Sequence, residues 1–327
     1  MEIRKFAVLG FGNSGYTHSQ NILEHPNALL TAIYSRSHKE NIPQGVNFYN
    51  DYEKLINSED LDAVVIATPT FTHKKIACLC AANGLDIFLE KPMALTLEDC
   101  DNIIDAAYSS NVKLFLAHVL RFWPSYFHVR NFIKSSKSTI GKIREIEAKR
   151  LSTFPWSEWF ADESKSGGVI LDLSIHDLDY VNWILGYFIS ISCKAKKIKQ
   201  YGMKVYGKST TILKFEKEKK AEVEASWAEK PGIPLNTYAN VKGTEGNIEF
   251  NGEGIFEGYP IEIIEPLESF DGYYNEISHF IDCIIHRDKN LAVNGEDGKI
   301  SVAICLAAIE SANNKGKEIF FDDFLKK

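Results

Sequence analysis

A short apolar run, Phe6-Ala7-Val8-Leu9, stops at Gly10-Phe11-Gly12-Asn13-Ser14-Gly15 and gives way to a helical stretch reaching about Glu24. The three glycines of such a turn answer separate needs. The first lets the chain turn tightly, the second lets the backbone approach a pyrophosphate, and the third lets the helix pack against the strand. The N-terminus of the new helix attracts the same anion. Glycines turn chains for many reasons, so context decides, and here strand, turn and helix come in the required order.

That order continues. Residues 29–34 read as a second strand, with a weaker one near Phe48 and Tyr49, and the run Ala63-Val64-Val65-Ile66-Ala67 as a buried one. A turn, Thr68-Pro69-Thr70, leads into a helix over 72–83 that ends at Gly84. Residues 86–89 form the next strand, 96–110 a helix and 112–117 a strand again. These strands are apolar throughout rather than alternating, the mark of a parallel sheet covered on both faces. Residues 1–118 therefore read as one doubly wound α/β domain that binds a dinucleotide.

Beyond residue 120 the pattern changes. Segments 143–150, 190–199, 204–215, 222–228, 238–242 and 247–250 alternate as half-exposed strands do. Helices are expected over 167–186, 275–286 and 298–313. Residues 119–327 thus form an α+β domain built on a large, mostly antiparallel open sheet. So few helices cannot cover both of its faces, which predicts exposed apolar area and a homodimer or homotetramer. A chain of 327 residues is long enough for two such domains.

The net charge of −7 argues against nucleic-acid and anionic-membrane partners, both of which favour basic surfaces. The opening stretch carries Glu2, Arg4 and Lys5 before a short apolar run, which fits neither a signal peptide nor a membrane span. Six cysteines show no metal or redox spacing, and Cys78 and Cys80 point to different faces of a helix. Inert thiols in a reducing compartment, hence a cytoplasmic protein without a metal, are expected.

Three further segments carry chemistry. The second strand ends at Ser35-Arg36-Ser37, where an acidic side chain would bind the ribose hydroxyl of NAD. None is present, and Arg36 between two hydroxyls suits the 2′-phosphate of NADP; a solvated loop arginine would look the same. Glu90-Lys91-Pro92 sits at a strand's carboxyl edge, where ligands bind in such sheets, although a surface turn could read alike. Within Gly167-Gly168-Val169-Ile170-Leu171-Asp172-Leu173-Ser174-Ile175-His176-Asp177, Asp172 and His176 are four apart and share a helix face that Asp179 and Trp183 continue. A carboxylate beside an imidazole suits proton transfer near neutral pH; the alternative is a core histidine with Asp172 capping the helix. Trp123, Trp156 and Trp159 can border a substrate cleft, though core packing is the commoner fate of tryptophan.

Together these segments resemble the Gfo/Idh/MocA family, named for glucose–fructose oxidoreductase, inositol dehydrogenase and a rhizopine-catabolism protein. The likeness runs through the glycine turn, ATPTFTHKKIA, GLDIFLEKPMALTLEDC and SGGVILDLSIHDLD, and through His118-Val119-Leu120-Arg121-Phe122 at the domain junction. The resemblance implies a Rossmann domain followed by an α+β domain whose open sheet often forms an oligomer interface. It also implies hydride transfer between a nicotinamide and a carbinol carbon of a sugar, inositol or related polyol. Lys91, Asp172 and His176 take the catalytic places. Thr68, Pro69, Thr70, His73, Glu90, Lys91, Pro92 and Arg121 join the glycine turn and Ser35, Arg36 and Ser37 as candidate cofactor contacts. Rivals on the same fold are a dinucleotide-binding sensor or repressor, and an NAD-dependent glycosidase.

Overall fold

The computed structural model describes residues 2–37, 41–228, 232–255 and 267–326. In chain order the first part comprises β1 (Arg4–Leu9), α1 (Asn13–Glu24), β2 (Ala28–Tyr34), β3 (Asn47–Tyr49), α2 (Tyr52–Ser58) and β4 (Ala63–Ile66), then α3 (His73–Ala82), β5 (Asp86–Glu90), α4 (Leu97–Ser109) and β6 (Leu114–Ala117). There follow α5 (Pro124–Lys134), β7 (Ile143–Thr153), α6 (Glu163–Ser166), α7 (Ile175–Leu185), β8 (Ser190–Gln200), β9 (Met203–Lys214), β10 (Lys220–Ala228), β11 (Asn236–Gly243) and β12 (Asn247–Phe250). The chain closes with α8 (Gly272–Ile285), α9 (Gly295–Asn313), β13 (Ile319–Phe320) and α10 (Phe321–Leu325).

The chain divides into two compact units. The first is Met1–Val119 with Asp271–Ile300, so a later segment returns to the first unit. That segment is recruited by aromatic packing: Phe280 of α8 lies 6.3 Å from Phe6, 5.8 Å from Phe88 and 5.9 Å from Phe115 by ring centroid. Local pattern cannot announce such a return, because the partners are far apart in sequence.

The sheet of the first unit has the order β3-β2-β1-β4-β5-β6 with every pairing parallel. Strands β4, β5 and β6 are buried along their whole length, as unbroken apolar runs require. The order reverses between β1 and β4, and the crevice outside the carboxyl ends of the strands at such a switch is where this architecture binds ligands. The glycine turn follows β1, Thr68-Pro69-Thr70 follows β4, and Lys91-Pro92 follows β5. The topology thus gathers three sequence-distant motifs on one edge.

The second unit, Leu120–Phe270 with Ser301–Lys327, holds a sheet of order β12-β11-β7-β10-β9-β8-β13. Only β7 and β10 pair in parallel; the other pairings are antiparallel. Ile146, Ala148 and Arg150 of β7 share the inward face with Val223, Ala225 and Trp227 of β10, and α7 packs on both strands. The opposite face differs from the apolar surface expected of it. Glu145, Glu147, Lys149, Glu222 and Glu224 alternate with the buried residues, and Lys220–Glu145 and Lys242–Glu147 pair across it at 2.7 and 2.6 Å.

The helix expected over 167–186 runs from 168 to 185 without interruption, but its winding is not uniform. Gly167 and Gly168 have φ of +69° and +66°, a left-handed conformation that ends α6. A π-helical turn, Ile170–Ser174, then leads into α7.

Candidate active site

In the first unit the glycines separate by what crowds them. Gly10 has φ +102°, and a Cβ there would lie 2.5 Å from the Ala67 carbonyl oxygen. A Cβ on Gly15 would lie 1.8 Å from the Gly10 carbonyl oxygen. At Gly12 nothing among the described residues beyond its own neighbours in the chain and helix lies within 4 Å of such a Cβ, so its smallness serves something other than internal packing. Gly12 is also the N-cap of α1, with no side-chain cap and no acidic residue in the first turn. Phe11 is buried against Tyr16, while Asn13 and Ser14 are exposed. Open space before uncapped N–H groups at the positive end of a helix dipole fits a pyrophosphate.

At the end of β2, the Ser35 amide donates to the Tyr49 carbonyl at 3.1 Å and its side chain is largely buried, whereas Arg36 and Ser37 are exposed. No acidic side chain stands at these three positions.

Two buried histidines brace the loops after β4 and β5. His73, wholly inaccessible, has Nε2 2.8 Å from the Thr68 carbonyl and Nδ1 2.9 Å from the Pro92 carbonyl. It therefore ties one loop to the other. Burial pushes its imidazolium down in pKa, against the pull of those two carbonyls and of Glu90. The Thr72 hydroxyl lies 2.7 Å from both Thr68 Oγ1 and the Pro69 carbonyl, closing the turn, and Thr70 is buried. His18 Nε2 donates to Glu90 Oε1 at 2.8 Å, and Glu90 Oε2 accepts the Lys91 amide at 3.1 Å. Burial alone would raise the Glu90 carboxyl; the hydrogen bond and charge of His18, helped by Lys91 and His73, bring it below its ordinary value. Lys91 keeps partial exposure between buried Glu90 and Pro92.

Glu276 of α8 is a second buried acid in this unit. It is fully inaccessible, and neither carboxyl oxygen has a partner among the described residues. Burial, then the charges of Glu90 and Asp271, raise it well above the usual carboxylate range. The folded state therefore holds a proton that the unfolded chain releases above pH ~4.5. Its contribution is complete below that pH and is lost as pH rises through the folded value. Glu276→Gln, which mimics the protonated acid, is expected to match wild type near pH ~4 and to become progressively more stable than it toward pH ~8, by at most ~1.4 kcal/mol per unit. Urea denaturation across that range measures it, and parallel curves would show Glu276 ionised in the fold.

In the second unit, Asp172 lies in the π-helical turn and His176 in the first turn of α7. From 168 to 181 every residue is buried except these two. The sequence expectation that Asp179 continues their polar face is not met. Asp179 is inaccessible and accepts from Arg121 Nε at 2.9 Å and Nη2 at 2.7 Å, and from the Ser301 hydroxyl at 2.8 Å. Arg121, a candidate cofactor contact from the sequence, is therefore buried in an ion pair. Asp177, equally inaccessible, accepts from Arg150 Nε at 2.7 Å and Nη2 at 2.9 Å. Among the tryptophans, Trp123 donates to the Gly252 carbonyl at 2.6 Å, Trp159 stacks on Phe160 at 3.8 Å, and Trp156 is 73% exposed.

Sequence reasoning passed over His18, Glu276, Arg150 and Asp177. Only Arg150 left a signal: it is a charge on the inward phase of an alternating strand, in line with Ile146 and Ala148. Among the described residues no cluster of His, Cys, Asp and Glu could hold a metal ion, the six cysteines are free thiols, and no helix is long and apolar enough to cross a membrane.

Residues 4–118 match the family model described as an oxidoreductase family with an NAD-binding Rossmann fold, and residues 128–249 match the GFO/IDH/MocA C-terminal domain. The chain is 30% identical to scyllo-inositol 2-dehydrogenase (NAD(+)) of Bacillus subtilis, with 94% of each chain covered. It is 26% identical to myo-inositol 2-dehydrogenase of Thermotoga maritima, covering 95% of this chain and 97% of that one. The crystal structure of a probable dehydrogenase from Thermotoga maritima shares the fold at a TM-score of 0.81, with 24% identity over 98% of this chain and 99% of the other.

Proposed function

Since the chain belongs to the Gfo/Idh/MocA oxidoreductase family, we propose that it moves a hydride between NAD(P) and a carbinol or carbonyl carbon of a sugar, inositol or related polyol. The observation that carries this reading is the solvent access kept by Asp172 and His176 alone in an otherwise buried stretch. Burial is the default for that segment, so two partly exposed groups capable of proton exchange mark a working face.

When bound, the nicotinamide supplies the hydride acceptor at C4. The chain's own residues handle the proton and the developing charge. In the oxidative direction His176 takes the hydroxyl proton, since an imidazole is poised for this near neutral pH. The Lys91 ammonium donates to the same oxygen and stabilises its negative charge. Asp172 accepts from a neighbouring hydroxyl and orients the carbinol. Reduction runs these steps backwards. The pyrophosphate would lie at Gly12 and the N-terminus of α1, and Ser35 and Arg36 favour NADP(H) over NAD(H) at the adenosine end.

Following NAD(P)H absorbance against a panel of sugars, polyols and keto-sugars tests the reading. Stoichiometric accumulation of reduced cofactor with one class of substrate is expected. Turnover without accumulation would indicate a glycosidase that recycles its cofactor, and tight cofactor binding with no turnover would indicate a sensor. Retention of both Lys91 and His176 speaks against the sensor.

We also expect a homodimer or homotetramer through the open sheet. Its uncovered face is charged rather than apolar, so association should be salt-sensitive. Light scattering at micromolar protein is expected to give a multiple of 36.9 kDa, with more monomer as salt rises from ~0.05 to ~1 M. A mass of one chain at low salt would remove the expectation.

A further inference from the structure

Helix α7 carries His176 and is gripped on both sides of it. At 3.6 residues per turn, successive side chains are about 100° apart around a helix axis. Relative to His176, Asp177 stands about 100° one way and Asp179 about 60° the other, so His176 points into the sector between them. Each carboxylate is locked by an arginine from a different part of the unit. Arg150 comes from β7 and holds Asp177; Arg121 holds Asp179. Both pairs are side-on and bidentate, through Nε and Nη2, a geometry that fixes direction as well as distance. One such pair would leave the helix a pivot. Two on opposite flanks fix its roll.

The anchorage of Asp179 is broader. Leu120 and Ser301 are the first residues of the two chain segments that build the second unit. Arg121 and Ser301, one at the start of each segment, both bond to Asp179. The helix that carries His176 is thus tied to the beginnings of both segments and, through Arg150, to the sheet. All four charged groups are at most 6% exposed.

We propose that Asp177 with Arg150, and Asp179 with Arg121, are positioning residues that aim His176 at the reacting hydroxyl. The inference rests on the reading of His176 as proton acceptor. Stability alone does not account for the pairs, because apolar residues of similar volume commonly replace a buried ion pair without loss, whereas removing one partner strands a charge.

The test uses that difference. Arg150→Met/Asp177→Leu removes the pair without stranding a charge, and Arg150→Lys keeps the charge while losing the side-on fork. Both are made in wild type and in His176→Ala, and assayed with the best substrate of the absorbance panel. In the wild-type background each is expected to lower kcat ~10-fold with KM and dinucleotide Kd within ~2-fold, and melting close to wild type for the lysine variant. In the His176→Ala background the same changes cost nothing further, because a group that acts through His176 has nothing left to aim. Wild-type kcat in the folded variants, or the same ~10-fold loss on top of His176→Ala, overturns the proposal. Full activity in His176→Ala alone instead removes the proton-acceptor reading itself, so the two failures are told apart. If the double variant does not fold, the lysine variant decides.

Discussion

Lys91→Ala and His176→Ala are each expected to lower kcat by ~10²-fold or more, while the dinucleotide Kd stays within ~2-fold. In the proposed reaction the two residues do different work. Without Lys91 the negative charge that grows on the oxygen as its proton leaves has lost a donor, and loss of one such preorganised donor costs ~3–4 kcal/mol, in line with that factor. Without His176 the hydroxyl proton must pass to water. The Lys91 backbone amide still donates to Glu90 when the side chain is truncated, so the loop keeps its anchor and the effect reads chemistry rather than folding. Neither residue lies among the groups assigned to the pyrophosphate or the adenosine, hence the unchanged Kd. Single-turnover absorbance gives the rate and fluorescence titration the affinity. A wild-type rate in either variant would unseat that residue's role. A large rise in Kd with kcat intact would move the residue to cofactor binding.

How much of this was legible in the sequence follows from what each signal depends on. The Rossmann unit was readable because its signals are local: apolar runs such as Ala63-Val64-Val65-Ile66, a glycine turn at the first strand's end, and Lys91 at a strand's carboxyl edge. Proximity of Thr68 to Pro92 was not readable, since it is made by His73 bonding to two carbonyls from loops nineteen and five residues away. The spacing of Asp172 and His176 was legible. The winding around them was not: the expected helix begins just after the paired glycines that close α6 and runs on to 185, but Ile170–Ser174 form a π-helical turn within it. Asp179 was misjudged for a related reason. Charge on a helix normally marks a solvated face, and only a partner from elsewhere, here Arg121, makes a buried carboxylate tolerable. The sheet's uncovered face was misjudged too, because alternation fixes which residues point away from the core but not what a second layer would touch.

NADP(H) is expected to bind ~10–150-fold more tightly than NAD(H), with Arg36 as the cause. The end of β2 is where dinucleotide folds of this topology read the adenosine ribose. An acidic side chain there accepts from the ribose hydroxyls and repels a 2′-phosphate; Ser35, Arg36 and Ser37 provide no such charge. Ser35 is held by its amide's bond to the Tyr49 carbonyl, while Arg36 is exposed and carries a charge able to meet a phosphate in a fork of donors. A charge-assisted hydrogen bond of this kind contributes roughly 1.5–3 kcal/mol, which is the quoted factor. Screening by salt lowers it, since the group is exposed, so titrations belong at a fixed ionic strength. Arg36→Ala should cost NADP(H) most of that advantage and leave NAD(H) nearly unchanged. An arginine stacked on the adenine face behaves differently: its removal weakens both cofactors alike. Calorimetric titration of both cofactors into wild type and variant separates the two, and equal affinities in wild type, or equal losses in the variant, would defeat the phosphate reading.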